Sequence, residues 1–267
     1  MNHLLRGHAP ISASGWKLLD EEARERLSAA LAARKLVDFS GPHGWKYSAT
    51  TLGRTTAVSA APSAGVSALQ RRVLPLVELR AEFEISRAEL RDDDRGASDA
   101  DLAPLDLAAH QIAVAENTAV FHGWKAASIT GIAEASPHRK IKLGSVADEY
   151  PRPVSSAVEH LLQNGISGPY ALALGGEQYQ VVVQTAEHGG YPLREHLHKI
   201  LDGPIVWAPG VEGAVVMSLR GGDFLFECGQ DLSIGYESHD AEVVRLYLEQ
   251  SFSFHVATPE AAVALSA

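Results

Sequence analysis

The sequence is poor in the residues that disulfides, thiolate zinc sites and nucleic-acid surfaces require. Its 267 residues include one cysteine, Cys228, so the chain cannot form an internal disulfide or a zinc site built on thiolates. We expect this lone thiol to be a half-buried strand residue. Acidic residues outnumber basic ones by 33 to 23, and the net charge of −10 argues against nucleic acid or anionic lipid as a partner.

Long apolar runs are also missing. No stretch approaches the roughly 18 apolar residues of a membrane-spanning helix, and the opening MNHLLRGHAPIS has no apolar core of signal-peptide length. The hydrophobic content of 46% with 21% charged residues is typical of a globular chain, with room for one large domain or two small ones. We therefore expect a cytoplasmic protein without a membrane partner.

Familiar catalytic signatures are absent as well. The chain contains no GxSxG elbow, no GxGxxG turn and no P-loop. His196 and His198 lie two residues apart, about 200° around a helix, so they cannot chelate one ion as the pair in HExxH does. The acidic run at residues 92–94 lacks the ligand spacing of an EF-hand loop. We expect no catalytic residues, no metal and no cofactor.

Periodic patterns predict two long helices. Ser12 or Ser14 can cap the first, which runs to about Ala33 with an apolar stripe that includes Leu19, Leu27 and Leu31. Pro104 opens the second, which extends to about residue 126 with mostly small residues on one side. Residues 74–85 alternate and predict a strand, and residues 91–101 predict a solvated turn.

The last 48 residues predict a sheet. Two short runs, 223–227 and 231–236, flank Cys228-Gly229-Gln230 and predict a hairpin. The strand that follows places apolar residues on one face and wettable residues on the other. Between residues 131 and 219, short alternating elements predict a compact α/β unit with helices at 154–164, 177–184 and 192–201, and strands at 170–174, 205–207 and 214–219.

Residues 47–72 are rich in Thr, Ser, Ala and Gly and have too few large apolar side chains to bury a core. One interpretation is a flexible linker. The other is a two-stranded arm that is ordered by lying on a neighbouring subunit, because a lone hairpin is marginal in water. Composition alone leaves both open.

Five segments, in order, resemble encapsulins, the linocin-like shell proteins of bacterial nanocompartments. They are LLRGHAPISASGW (4–16), ARKLVDFSG (33–41), the FHGWKAASITGI region (117–131), EHGGYPLREHLHKILDGPIVWAP (187–209) and the C-terminal residues 220–267. The resemblance implies an α+β, HK97 phage-capsid-like fold and favours the arm. It divides the chain into an N-terminal helix with the start of a peripheral domain (1–46), an extended loop (47–73), a peripheral domain with a spine helix (74–130), an axial domain (131–220) and a C-terminal peripheral sheet (221–267).

The function that this resemblance implies is structural. Encapsulins self-assemble into closed icosahedral shells around a cargo enzyme, such as a dye-decolorising peroxidase or a ferritin-like protein. Two alternatives are a protease or bacteriocin-like enzyme and a phage major capsid protein. The missing nucleophile motifs weigh against the enzyme, and the intact N-terminal helix without an obvious scaffolding segment weighs against the phage protein.

The resemblance also implies two sites. Cargo docks through a C-terminal targeting peptide, in a pocket between the N-terminal helix and the peripheral sheet, formed here by Leu27, Leu31, Arg34, Asp38, Leu232, Ile234 and Tyr247. Arg34 and Asp38 would form a charged pair on its rim, and each aliphatic residue could equally be plain core. The loop around the fivefold pore corresponds to Glu187, His188, Gly189, Gly190 and Tyr191, with a double glycine where the family more often has one.

Overall fold

Two five-stranded sheets, each packed against helices, organise the chain in the computed structural model, which describes residues 3–144, 146–185 and 190–266. The α-helices of these residues are α1 (Ala13–Ala30), α2 (Arg87–Asp94), α3 (Ala103–His122), α4 (Ile132–Ala135), α5 (Pro151–Gln163), α6 (Gly176–Gln184) and α7 (Leu193–Leu201). The strands are β1 (Asp38–Ser40), β2 (Ala49–Val58), β3 (Ala68–Pro75), β4 (Val77–Ser86), β5 (Ile141–Lys142), β6 (Tyr170–Leu174), β7 (Ile205–Trp207), β8 (Ala214–Ser218), β9 (Phe224–Cys228), β10 (Ser233–His239), β11 (Val243–Val256) and β12 (Ala262–Ser266).

The first sheet is built around β11. Strand β4 pairs with one edge of β11 in antiparallel register, and β9 and β10 both pair with the opposite edge. Strand β1 adds to β9 in parallel. Helices α1 and α3 pack on the face that carries Phe83, Ile85 and Leu246, and these apolar side chains form one of the two hydrophobic cores.

The predicted hairpin within residues 223–236 is wrong. Phe224 pairs with Val256 and Ser233 pairs with Glu249, so β9 and β10 run end to end along one edge of β11 instead of against each other. The interruption at residues 229–232 is held by backbone hydrogen bonds to Ser251, from Gly229 N to Ser251 O and from Ser251 N to Gln230 O. Gly229 therefore lies in a break between two strands that follow the same edge of β11, and not in a hairpin turn.

The polar face predicted for β11 is buried at its centre instead of being exposed to solvent. Ser251 and Ser253 are buried, and Ser253 Oγ lies 2.6 Å from Thr50 Oγ1 at the start of β2. Glu249 is also buried and pairs with His3 Nε2 at 2.7 Å. Cys228 is fully buried, not half-buried, and burial raises the pKa of its thiol to about 12.

Local hydrogen bonds set the ends of the first helix. Ser12 caps α1 by accepting a hydrogen bond from Gly15 N, as predicted, and both Ser12 and Ser14 donate to Asp94 of α2. The helix ends at Ala30, short of the predicted Ala33, because Asn117 of α3 donates to Ala30 O and accepts from Ala33 N. The segment predicted as a solvated turn is partly helical, since α2 extends through residue 94.

Helix α3 packs closely on the sheet because small side chains such as Ala108, Ala109 and Ala113 line its buried face. It ends at His122, earlier than predicted, with Gly123 at φ +90. A side chain at Gly123 would meet the Gly131 backbone nitrogen at 2.8 Å. This close approach requires glycine and stops the helix.

The second sheet has the order β5-β12-β8-β6-β7, with α5, α6 and α7 packed around it. Strands β6, β7 and β8 lie where the sequence predicts them, apart from one residue at the end of β8. Strand β12 comes from the C-terminal end of the chain and pairs with β8 and β5. The segment 221–267, predicted to belong to the peripheral sheet, thus contributes to both sheets.

Residues 47–72, the segment rich in Thr, Ser, Ala and Gly, form most of a hairpin. Among the residues that the structure describes, strands β2 and β3 pair only with each other, over Thr55–Val58 and Ala68–Arg71 at the distal end and over residues 49–51 and 73–75 at the base. A bulge at Leu52-Gly53-Arg54 separates the two ladders, with Gly53 at φ +63. The two-stranded arm is therefore the conformation found, and most of its residues are exposed.

Candidate functional site: a groove between the first helix and the first sheet

A groove of about 400 Å³ lies between α1 and the start of β10. Helix α1 contributes one wall, and the interruption between β9 and β10 contributes the other. The lining residues are Asp20, Ala23, Arg24, Leu27, Ser28, Leu31, Arg34, Asp231, Leu232, Ser233, Ile234 and Leu248.

The floor of the groove is apolar and its rim is charged. Leu27, Leu31 and Ile234 are 6%, 8% and 2% exposed, so each is a core residue whose outer atoms also line the groove. Leu232 is only partly buried and packs against the edge of the hydrophobic core. Five of the seven residues predicted for the cargo site, these four and Arg34, therefore meet in one place.

Arg34 closes one end of the groove through a buried network. Its Nε donates to both carboxylate oxygens of Glu116, at 3.1 and 3.0 Å, and its Nη1 donates to Asp231 Oδ1 at 2.6 Å. Its Nη2 donates to Gln250 Oε1. The guanidinium also lies 5.2 Å from the ring centroid of Phe39, within cation–π range.

The charges of this network are unequally buried. The Glu116 side chain is fully buried, the Arg34 side chain is 15% exposed and Asp231 is 44% exposed. Burial opposes the charge on Arg34, but the carboxylates of Glu116 and Asp231 outweigh it and raise its pKa. Burial raises the pKa of Glu116, and Arg34 counteracts that effect. Arg34 therefore stabilises the charged form of Glu116 in the interior of the subunit.

Two predicted residues lie outside the groove. Asp38 accepts a hydrogen bond from Gly222 N at 2.8 Å and lines a separate cavity of about 220 Å³ with Ser218 and Asp223. It does not pair with Arg34, whose guanidinium is hydrogen-bonded to Glu116, Asp231 and Gln250 instead. Tyr247 projects from the opposite face of β11, where the Arg80 guanidinium lies 3.7 Å from its ring centroid.

Sequence reasoning missed Glu116 and Asp231. A signal for Glu116 is present, because it is an acid among the small apolar residues on the buried side of α3. A buried carboxylate needs a cationic partner, and Arg34 is the one that the fold supplies. Asp231 gave no such signal, since its position depends on the break between β9 and β10, where the sequence predicted a turn.

The predicted pore loop is only partly described. Glu187, His188 and Gly189 lie outside the described residues. Gly190 has φ +81, and Tyr191 is 39% exposed with Lys199 Nζ at 5.0 Å from its ring centroid. Over residues 3–144, 146–185 and 190–266, no three His, Cys, Asp or Glu side chains are grouped as a metal site requires. Helices in these same ranges are too short or too polar to cross a membrane.

Comparison with known proteins identifies the family. The sequence profile Linocin_M18, described as encapsulating protein for peroxidase, matches residues 1–253. A type 1 encapsulin shell protein of Rhodospirillum rubrum is 48% identical over 270 aligned positions, covering 99% of this chain and 96% of that protein. The chain belongs to the type 1 encapsulin shell protein family. An encapsulin shell protein of Mycobacterium tuberculosis is 42% identical, with both chains covered in full.

Solved structures agree with the encapsulin fold. The virus-like particle protein of Pyrococcus furiosus superposes with a TM-score of 0.67 at 17% identity, over 94% of this chain and 99% of that one. A chain from the capsid of an empty GTA particle superposes with a TM-score of 0.55 at 15% identity, over 89% of this chain and 90% of that one. The predicted HK97 phage-capsid-like fold is confirmed.

The buried network leads to a test of stability. Arg34→Met leaves the Glu116 carboxylate unpaired in the core, and breaking a buried pair in this way costs about 3–5 kcal/mol. We expect a lower thermal unfolding midpoint and a lower soluble yield. Arg34→Met with Glu116→Leu removes both charges and should recover most of the loss.

Arg95→Met serves as the control, because Arg95 pairs with Asp92 at the surface and exposed pairs contribute little. If Arg34→Met unfolds at the same temperature as the parent chain, the network does not stabilise the subunit.

Proposed function

We propose that this encapsulin chain assembles with copies of itself into a closed icosahedral shell that encloses a cargo enzyme. The arm formed by β2 and β3 is the observation that best supports self-assembly. Its exposed apolar side chains include Val58, Val66, Leu69 and Val73, at 44%, 58%, 66% and 45% exposure. A hairpin with this much open apolar surface gains stability by lying on another subunit.

The groove beside α1 is proposed as the docking site for cargo. An extended peptide with apolar side chains suits its floor of Leu27, Leu31, Leu232 and Ile234. Asp20, Arg24 and Asp231 on the rim offer polar contacts to the peptide backbone or its charged residues. A dye-decolorising peroxidase or a ferritin-like protein that carries a C-terminal targeting peptide is the cargo we propose.

The shell itself is proposed to have no catalytic role and to reside in the cytoplasm. Relatives that are named type 1 encapsulin shell proteins support a structural role over a protease or bacteriocin-like enzyme. The net charge of −10 supports a protein partner over nucleic acid or anionic membrane. The loop of residues 187–191 is proposed to line the pore at the fivefold axis, with the exposed Tyr191 at its edge.

The arm gives a test of assembly. Leu69→Asp places a charge at the most exposed apolar position of β3, where it does not disturb the subunit core. We expect a folded subunit that forms few closed particles, because the charge must be buried at the contact with the next copy. Electron microscopy and size-exclusion chromatography measure particles, and circular dichroism measures folding.

Gln70→Asp is the matched control, since it adds the same charge on the opposite side of the same strand. We expect it to impair assembly less. Abundant intact shells from Leu69→Asp would contradict the docking of this face of the arm.

The groove gives a test of cargo loading. Leu232→Asn changes a partly exposed lining side chain and keeps the backbone N–H that donates to Asp231 Oδ1, so the hydrogen bonds of the Arg34 network are retained. We expect normal shells with cargo loading reduced about tenfold, because an apolar contact in the groove is lost and a polar group is desolvated. Co-expression with a cargo protein that carries its targeting peptide, followed by densitometry of purified shells, measures the loading.

Asp38→Ala is the control for loading. Because Asp38 lies in a separate cavity, its removal should leave loading unchanged. A loss of loading with Asp38→Ala and none with Leu232→Asn would place cargo docking elsewhere.

A further inference from the structure

Strand β4 leaves one edge of the first sheet open. It pairs with β11 along its whole length, from Val77 to Ser86, and every second residue directs its backbone N–H and C=O away from that partner. These outward groups make no hydrogen bond within the part of the chain that the structure describes. A strand edge of this length, without a proline or a bulge, is a template for pairing with another strand.

A groove of about 390 Å³ lies along this open edge, between β4 and α3. Four consecutive residues of β4, 79–82, line it, and neighbouring side chains of a strand point to opposite faces. The groove therefore follows the edge of the sheet. Helix α3 contributes Gln111, Ile112 and Ala115, so the side of the groove next to this helix is mostly apolar. An extended strand placed here gains backbone hydrogen bonds along one side and apolar contacts beneath it.

The arm of the same subunit cannot fill this edge. Strand β3 ends at Pro75 and β4 begins at Val77, and the single residue between them is too short to reverse the chain into a hairpin. The two arm strands pair with each other, and each keeps its outer edge free over the described residues. A strand that completes β4 must therefore come from another molecule.

The arm is cationic, although the chain as a whole is acidic. Residues 47–75 contain three arginines, Arg54, Arg71 and Arg72, and no acidic residue, whereas the net charge of the chain is −10. The three arginines line one cavity of about 240 Å³ beside the bulge of β2. None of them forms an ion pair or a hydrogen bond with the rest of the described chain. Such a cluster is complementary to a surface that carries carboxylates.

The open edge of β4 carries carboxylates. Glu78 and Glu82 flank Arg80 on the side of the strand that faces away from α3, and all three are exposed. Arg80 is shared between Glu82, at 3.6 Å, and Glu237, at 3.2 Å. Glu78 has no cationic partner among the residues that the structure describes. One guanidinium therefore serves this row of carboxylates, which leaves them able to pair with further cations.

We propose that the arm of a second copy adds its strand β3 to the open edge of β4. Leu69 and Val73, which share one face of β3, then lie on the apolar side of the groove. Arg72 is on the other face of β3 and lies beside Glu78 and Glu82. This inference rests on the proposed assembly of copies into a shell, and it names the surface on which the arm docks.

Hydrogen–deuterium exchange with mass spectrometry tests the added strand directly. In assembled shells, about half of the amides of Val77–Ser86 should exchange at least about tenfold more slowly than in unassembled Leu69→Asp subunits, because the outward N–H groups become hydrogen-bonded. Strand β8, Ala214–Ser218, is the internal control. It is paired on both sides within one subunit, so its amides should exchange equally in both samples.

Charge reversal tests the identity of the partner surface. Glu78→Arg with Glu82→Arg places like charges beside the arm of the next copy, and we expect the fraction of protein in particles to fall about tenfold. Adding Arg72→Glu to this variant restores opposite charges and should recover the particles at least several-fold. Size-exclusion chromatography measures the particle fraction, and circular dichroism confirms that each variant is folded.

The matched control is Glu21→Arg with Glu25→Arg, which makes the same change of charge at exposed positions of α1 and should leave the particle fraction unchanged. Three outcomes would overturn the inference while leaving the proposed shell intact. The first is equal exchange of Val77–Ser86 in shells and subunits, the second is abundant shells from Glu78→Arg with Glu82→Arg, and the third is no recovery with Arg72→Glu. Absence of particles from the unaltered chain would contradict the proposed function itself.

Discussion

The buried contact between Arg34 and Glu116 is the constraint on which the arrangement of the subunit depends. Glu116 comes from the middle of α3, and Arg34 follows the end of α1. The same guanidinium reaches Asp231, in the break between β9 and β10, and Gln250 on β11. A charge as deeply buried as Glu116 is tolerated only with a partner in good geometry. The pair therefore fixes two helices and the central strand of the first sheet relative to one another.

The groove beside α1 follows from that arrangement. With the end of α1 held at Arg34, one side of the helix stands over the break in the sheet, and the groove opens there above Leu232 and Ile234. The other side packs against α3. The helix thus presents an apolar groove suited to a peptide. The arm lies apart from this groove, which agrees with a role in contacts between subunits.

Much of this fold could be predicted from the sequence, because local signals agree with the final structure in many places. Ser12 caps α1 as its residue type indicates, and β6 coincides with a buried apolar run. The errors have a common physical origin in distant contacts. Gly229 suggests a turn, but backbone hydrogen bonds to Ser251 hold it as a break in a continuing edge strand. Likewise, Asn117 ends α1 from 87 residues away along the chain.

In the candidate site too, residues that follow local sequence patterns were predictable and residues placed by distant contacts were not. The aliphatic floor of the groove was predictable, because Leu27, Leu31, Leu232 and Ile234 follow from helix and strand periodicity together with the family resemblance. The position of Asp38 was not, since it depends on how the chain turns after Arg34. Tyr247 was assigned to the groove although strand alternation places it on the face opposite Leu246 and Leu248.

We propose that this chain alone builds a closed shell. Size-exclusion chromatography with light scattering, followed by electron microscopy of the main fraction, tests it most directly when the chain is expressed without any cargo. We expect megadalton particles of uniform diameter with icosahedral symmetry. A stable monomer or small oligomer as the only species would contradict it.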